Sequence, residues 1–230
     1  GLGEAAEVEA WRAAVRELEV EMATGDVGMD GGAGATIEEV ILRRGSTRRF
    51  SHRPIPKEAL LWSLQVGARG MAGDFVAGGW SLLQHFVAVH AADGVEVGIY
   101  RWTADGLELI RAGAPRQRTS YLCLEQGLGG DAAATVFSCS PLEPVLEAMG
   151  ARGYRMAQLE AGIACGRLHL AAYALGSGAT GLTFYDDEVR RYFGTESEPM
   201  LVTAIGIPAY RSRRGRRPSE SAPLRLEASG

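Results

Sequence analysis

The chain has 230 residues, which is enough for one large domain or two small ones. Its hydrophobic and charged fractions, 46% and 23%, are those of an ordinary globular protein, and its formal net charge is −4. The sequence shows neither a signal peptide nor an apolar run of about 20 residues, so it predicts no membrane segment.

The cysteine and lysine usage also bears on chemistry. Three scattered cysteines, Cys123, Cys139 and Cys165, have neither metal spacing nor a disulfide pattern, which favours a reducing cytoplasm. Arginine outnumbers lysine by 23 to 1 and asparagine is absent, a bias that suggests a GC-rich bacterial genome. The only lysine, Lys57, follows Pro56 at a predicted helix start, where we expect a solvated charge.

The first 35 residues predict an arm outside the main core. Residues 4–23 have apolar side chains at helical spacing, namely Val8, Trp11, Val15, Leu18 and Met22. A glycine-rich linker follows over 24–35. Because the first residue is not methionine, we expect a trimmed protein or a piece of a longer one.

A cluster of arginines follows the next predicted helix. Thr36 and Glu39 form a capping-box pattern that opens a helix through Leu42. The segment RRGSTRRF, residues 43–50, then places four arginines around a serine and a threonine. The cluster fits a helix C-terminus, where positive charge is favourable. It equally fits an anion site, in which guanidinium groups and hydroxyls bind phosphate.

The middle of the chain predicts an α+β fold with helices around a central mixed or antiparallel sheet. Helices are expected at 58–69, 116–128, 141–149 and 186–193. An antiparallel meander over 82–110 is indicated by two turn signals, and further strands are expected at 131–140 and 199–207. His85 and His90 lie on the meander without a second ligand at metal spacing, so we expect structural histidines and no metal site.

The stretch Tyr154–Leu175 predicts a long central helix. It contains no proline, and small or apolar residues fill most positions on all sides, which is typical of a buried helix. Gly162 and Gly166 allow other backbones to approach closely. Glu160 and Arg167 exclude a membrane span. The helix is therefore either a core helix alone or one that also forms a subunit interface.

Glu160 is the acidic residue within this predicted helix. An unpaired carboxylate is costly to bury. We therefore expect Glu160 to pair with an arginine, such as Arg152 or Arg155.

The segment after residue 208 predicts a solvated basic tail. It carries five arginines between Arg211 and Arg217. Such a tail could bind phosphate, but it has no interleaved aromatic residues and no accompanying nucleic-acid-binding fold, so nucleic-acid binding is not expected.

The order of these motifs resembles the nitroreductase family of flavin enzymes. The similarity lies in IEEVILRRGSTRRFSHRPIPKEALLWSL, in GVEVGIYRWTADGLELIRAG, in the stretch from GARGYRMAQLEAGIACGRLHL to Gly194, and in PMLVTAIGIP. It extends from about Thr36 to Pro208 and is greatest to the SagB-type branch. That branch includes dehydrogenases that oxidise azoline rings in peptide natural products, and some members carry two such domains in tandem.

The resemblance implies an FMN-binding α+β domain over 36–208, between the arm at 1–35 and the tail at 209–230. Two such units would pack through the long helix, as a homodimer or as a pseudo-dimer with a second nitroreductase-like domain, and the flavin would lie at their interface. By position, the residues that match the family's flavin contacts are Arg44, Ser46 and Arg48 at the ribityl and phosphate groups, Gly181, Leu182 and Thr183 near the ring, and Arg211 or Arg214 as a second phosphate anchor.

The sequence departs from the family pattern at three places. Phe75-Val76 stands where the family has proline-serine, which removes a hydroxyl near the flavin. Ala148-Met149 replaces a lysine-tyrosine pair, which removes the expected general base. Gly166-Arg167 replaces a glutamine-asparagine pair.

Three functional hypotheses follow from this pattern. The first is an FMN-dependent oxidoreductase that acts on a small molecule or peptide, with NAD(P)H as a possible electron donor. The second is a degenerate half that has lost its own catalysis, with loss of its own FMN as one form of this hypothesis, and that completes a partner's flavin site. The third is a non-catalytic module that binds another anionic ligand through its arginines.

Overall fold

The computed structural model describes residues 35–71 and 81–210. The predicted helix over 4–23, its linker up to residue 34, and the tail beyond Tyr210 lie outside the described residues. Val76 lies outside them as well.

The centre of the fold is one six-stranded sheet in the order β3-β2-β1-β4-β6-β5. All its neighbouring strands are antiparallel, so the predicted α+β class is confirmed and the sheet is antiparallel. The strands are β1 (Gln84–Val89), β2 (Gly98–Thr103), β3 (Gly106–Ala112), β4 (Ala134–Ser140), β5 (Gly178–Leu182) and β6 (Glu198–Gly206). The first three form the predicted meander.

Seven helices are present among the described residues. They are α1 (Ile37–Arg43), α2 (Lys57–Gly67), α3 (Arg116–Leu122), α4 (Gly127–Asp131), α5 (Leu142–Met149), α6 (Ala151–Ala174) and α7 (Asp186–Phe193). The predicted helix over 116–128 is wrong in length. Leu124 and Glu125 adopt left-handed backbone angles, with φ of 54° and 61°, which end α3 and separate it from α4.

Apolar side chains fill a core on each face of the sheet, as strand periodicity requires. In β1, Val87 and Val89 pack on the side of α2 and α6, whereas Phe86 and Ala88 pack on the opposite side, with α3 and α7. At the chain's first described helix, the predicted capping box is confirmed. The Thr36 hydroxyl accepts from the Glu39 amide at 3.3 Å, and the Glu39 carboxylate accepts from the Thr36 amide at 2.9 Å.

The long helix α6 is buried on one side only. It packs against α2, β5 and β6, and the buried side is lined by alanines and Leu168. On the other side Leu159 is 49% exposed, and a Cβ added at Gly162 or Gly166 would have no atom within 4 Å. The prediction of a buried helix therefore holds for the core side, and an exposed stripe of apolar and small residues remains. No helix in the described ranges is long and apolar enough to cross a membrane.

Glu160 is buried, with 3% of its surface exposed, but its predicted arginine partner is wrong. Its carboxylate accepts hydrogen bonds from the Ser81 hydroxyl at 2.5 Å and from the Leu82 amide at 2.8 Å. Arg152 and Arg155 are exposed. The Glu160 carboxylate is therefore hydrogen-bonded by a hydroxyl and a backbone amide from outside the helix, and not by an arginine.

The junction of α5 and α6 depends on a close approach at Gly153. A Cβ at this position would lie 2.7 Å from both Val145 Cγ1 and the Val145 carbonyl oxygen. We expect Gly153→Ala to lower the free energy of unfolding by about 1–3 kcal/mol, because overpacking against backbone cannot relax cheaply. Thermal denaturation measures this. Arg152→Ala, at an exposed neighbour, is the control, and a Gly153→Ala protein as stable as that control would contradict the packing.

Candidate functional site

The arginine-rich loop, residues 44–50, is anchored by one buried residue. The Thr47 amide donates to the carbonyl of Ala179 in β5 at 2.9 Å. The Thr47 hydroxyl lies 3.2 Å from the hydroxyl of Tyr173 in α6. Thr47 is therefore fixed between strand and helix, which leaves the side chains on either side of it in the loop facing solvent.

Three of the predicted phosphate-binding residues lie in this loop, and all three are exposed: Arg44, Ser46 and Arg48. Within the described part of the chain, no acidic side chain forms an ion pair with Arg44 or Arg48. Arg101, Arg118 and Arg190, by contrast, each pair with a glutamate. The loop therefore carries positive charge available to an anion.

The same loop is bound to the segment that precedes the basic tail. The Arg48 amide donates to the Tyr210 hydroxyl at 2.8 Å, and the Ala209 amide donates to the Arg49 carbonyl at 2.9 Å. Tyr210 is the last described residue. Arg211 and Arg214, the predicted second phosphate anchor, lie outside the described residues and stay predictions.

The predicted ring-contacting segment forms the end of the edge strand β5. Gly181 and Thr183 are exposed, whereas the Leu182 side chain is packed in the core. The Thr183 hydroxyl accepts a hydrogen bond from Gln126 Nε2 at 2.8 Å. A ligand at this edge would therefore meet backbone at Gly181 and Leu182.

Helix α6 adds two residues that the sequence did not indicate. A Cβ at Gly181 would lie 3.9 Å from Cys165 Sγ, and Cys165 Sγ lies 3.4 Å from His169 Nδ1. Burial raises the pKa of the Cys165 thiol and lowers the pKa of His169, and the charge of Arg44 lowers both pKa values. Gly181 is thus close to the Cys165–His169 pair, and the charge of Arg44 acts on the same pair. Only the i, i+4 spacing on a predicted helix could have indicated this pair.

Two of the departures from the pattern that the resemblance implies, Ala148-Met149 and Gly166-Arg167, lie within the described residues, and neither supplies the general base that the resemblance implies. Met149 is buried at the end of α5, and Ala148 has no titratable group. Gly166 lies on the exposed stripe of α6. Arg167 donates to the backbone carbonyls of Arg69 and Gly70, the latter at 3.2 Å.

The two histidines of the meander are buried. Burial lowers the pKa of His85 and of His90 to about 4 in each case, so both are neutral at pH 7. His85 Nδ1 lies 3.0 Å from the Ser138 hydroxyl, and His90 Nδ1 lies 3.0 Å from the Ala114 carbonyl. Across residues 35–71 and 81–210, no group of three or more potential ligands is arranged to hold a metal ion.

A separate cleft of about 530 Å³ lies near the opposite edge of the sheet, between the start of α2 and the β2–β3 hairpin. Lys57, Tyr100 and Trp102 are among its lining residues. None of the predicted flavin-contacting residues that the structure describes lines this cleft.

Comparison with known proteins agrees with this fold. A model of the nitroreductase family matches residues 41–207, well over half of the chain. The chain therefore belongs to the nitroreductase family. No curated protein sequence matches it.

Solved structures show the same fold. A protein from Anabaena variabilis ATCC 29413, described as a nitroreductase, is 29% identical with a TM-score of 0.68, and the match covers 75% of this chain but 38% of that one. A protein from Ralstonia eutropha JMP134 with the same description is 21% identical with a TM-score of 0.63, over 82% of this chain and 90% of that one. An FMN-dependent nitroreductase from Clostridium difficile R20291 is 14% identical with a TM-score of 0.55, over 79% and 92%.

The three thiols are expected to react differently. Cys123 and Cys139 are fully buried, and burial raises the pKa of Cys123 to about 12 and the pKa of Cys139 further. Only Cys165 is partly exposed. Iodoacetamide should therefore label Cys165 alone in the folded protein, at a rate that rises with pH because the thiolate is the reactive form.

Mass spectrometry of the peptides measures this labelling. After unfolding in guanidinium, all three cysteines should be labelled, which controls for reagent access. Native labelling of Cys123 or Cys139 at the rate of Cys165 would contradict the described burial.

Proposed function

We propose that this protein is an FMN-dependent oxidoreductase whose FMN phosphate and ribityl groups bind to the arginine-rich loop. The observation that carries the proposal is the position of Arg44. It belongs to an exposed loop without acidic partners in the described ranges, and its charge reaches the Cys165–His169 pair beside Gly181. A phosphate group and a planar ring would each meet suitable partners there.

The residues present fit FMN. Arg44 and Arg48 supply guanidinium donors and Ser46 a hydroxyl, a set suited to a phosphate dianion. Gly181, which has no side chain, leaves the edge of β5 open to a flat ring. Tyr210, bound to the loop, directly precedes Arg211 in the sequence, which supports Arg211 or Arg214 as the second anchor.

When bound, FMN supplies the hydride chemistry, and a nicotinamide nucleotide is the electron donor that we propose. A similar fold from Staphylococcus epidermidis ATCC 12228 is described as an NAD(P)H:FMN oxidoreductase. In this chain the arginine-rich loop would hold the phosphate, the end of β5 would lie near the ring, and Cys165 and His169 would be uncharged side chains beside it. His169 is neutral because burial lowers its pKa. We place the protein in the SagB-type branch on the segments quoted above.

We propose that a second copy of this chain covers the exposed stripe of α6. The stripe joins Leu159 to Gly162 and Gly166, and Ile37 and Ile41 of the neighbouring α1 are also exposed. Exposed apolar surface of this kind marks an interface. In a tandem protein the second half would occupy the same face, and residues 1–35 would serve as the connector.

The loss of the general base favours a second function. Ala148 and Met149 cannot move a proton, and Met149 is buried. The chain would then be a half that completes the flavin site of a partner without catalysis of its own. Turnover of NAD(P)H by the FMN-loaded homodimer distinguishes the two functions, because only the first predicts it.

Arg44→Ala tests the phosphate site. Loss of a charge-assisted hydrogen bond is worth about 1.5–3 kcal/mol, so we expect FMN affinity to fall about tenfold or more. Flavin fluorescence titration measures the change. Arg101→Ala removes the same charge from β2, where Arg101 pairs with Glu108, and serves as the matched control. Equal FMN affinity in the wild type and Arg44→Ala would rule out this site.

Leu159→Glu tests the interface. A carboxylate in the middle of an apolar contact is costly to bury, so we expect the variant to be a monomer under conditions in which the wild type is a dimer. Light scattering after size exclusion gives the mass. Ile110→Glu, on the exposed face of β3, should leave the dimer intact. A monomeric wild type, or a dimeric Leu159→Glu variant, would refute the interface.

A further inference from the structure

Two charged residues of α6 bind the two ends of one connection. Glu160 and Arg167 are seven residues apart, about two helical turns, so they lie on the same side of α6. The connection runs from the end of α2 at Gly67 to the start of β1 at Gln84. Arg167 holds its first part and Glu160 holds its last part.

Arg167 binds the part that leaves α2. Its guanidinium donates to the carbonyl oxygens of Arg69 and Gly70. These residues directly follow Ala68, the C-cap of α2. A guanidinium group suits this place because it can donate to two carbonyl oxygens at once.

Glu160 binds the part that enters β1. Its two carboxylate oxygens accept from the Ser81 hydroxyl at 2.5 Å and from the Leu82 amide at 2.8 Å. The Ser81 hydroxyl in turn accepts from the Leu83 amide at 3.0 Å. Ser81 and Glu160 are both buried. The contacts therefore fix Ser81 and Leu82 to one side chain of α6, and Leu83 to Ser81.

Stability alone does not account for a charge at position 160. Burial raises the pKa of Glu160, and the hydrogen bonds from Ser81 and Leu82 and the charge of Arg167 offset this only in part. The folded-state pKa is raised, so the ionised carboxylate costs stability as the pH rises through it. An apolar side chain of similar volume often serves a buried site at least as well. The carboxylate is better explained by the geometry that it imposes.

We propose that Glu160 and Arg167 are positioning residues that act together to hold α6 in place at the flavin site. The turn of α6 between them contains Cys165, which lies beside Gly181 and within reach of the charge of Arg44. Fixing both ends of the connection sets α6 relative to α2 and β1, and so sets the position of Cys165. The expected effect of these residues on flavin binding rests on the proposed function. Their effect on the connection between α2 and β1 does not.

Variants at Glu160 and Arg167 distinguish the effect of the hydrogen bonds from the effect of the charge. Glu160→Gln keeps an acceptor for the Leu82 amide and a donor for Ser81, so FMN affinity should stay close to wild type. Glu160→Leu and Arg167→Leu should each weaken FMN binding about fivefold, the size expected for lost hydrogen bonds. The double variant should lose much less FMN affinity than the product of the two single-variant losses, because either substitution alone releases α6 from the connection. Arg155→Leu, exposed on the same helix, is the matched control.

Hydrogen exchange of the FMN-free protein provides a readout independent of cofactor. In Glu160→Leu, amides at Leu82 and Leu83 should exchange faster, while Glu160→Gln and Arg155→Leu should match the wild type. Ile99→Ala, which removes core volume on the face of the sheet opposite α6, controls for general loss of stability and should not weaken FMN binding.

The outcomes of these experiments test the positioning role and the proposed function separately. Three results would each overturn the joint positioning role: FMN-affinity losses that multiply in the double variant, unchanged exchange in Glu160→Leu, or a loss of FMN affinity in Ile99→Ala equal to that in Glu160→Leu. A wild-type protein that binds no FMN would refute the proposed function, and hydrogen exchange would then decide alone whether Glu160 fixes the connection.

Discussion

The buried side chain of Thr47 holds the arginine-rich loop between the edge strand β5 and the end of α6. Its amide and hydroxyl both have hydrogen-bond partners, as buried polar groups must, and these contacts fix the loop at Thr47. Because Thr47 points inward, Arg44, Ser46 and Arg48 remain exposed, and the loop reaches the end of the sheet and Tyr210. The anion site that we propose exists only because this contact forms.

The arginines of the cluster have two different roles, one structural and one proposed for ligand binding, which the sequence alone could not distinguish. Arg43 donates to the Tyr173 carbonyl at 2.7 Å, so it joins the end of α1 to the end of α6. Arg44 and Arg48 have no ion-pair partner among the described residues and stay available to a ligand. The helix-end interpretation thus applies to Arg43, and the anion interpretation is proposed for Arg44 and Arg48. The sequence could not distinguish these roles, because all three arginines lie in the same short cluster.

Local signals predicted the fold well because they act over a few residues. The capping box at Thr36, the turn at Asp93-Gly94 and the apolar stretch of α6 each led to the observed element. The end of α3 was missed because left-handed Leu124 and Glu125 are not glycines and carry no turn signature. The partners of Glu160 were missed because Ser81 is 79 residues away in sequence. Cys165 was likewise not singled out, since only folding brings it to Gly181 and Arg44.

The central claim is that the guanidinium groups of Arg44 and Arg48 bind the phosphate of FMN. Calorimetric titration of the 230-residue chain with FMN and with riboflavin tests it most directly, because the two ligands differ only in that phosphate. The account predicts one FMN bound per chain, with an affinity at least about tenfold above that of riboflavin. Equal affinity for the two ligands, or no binding of FMN, would contradict it.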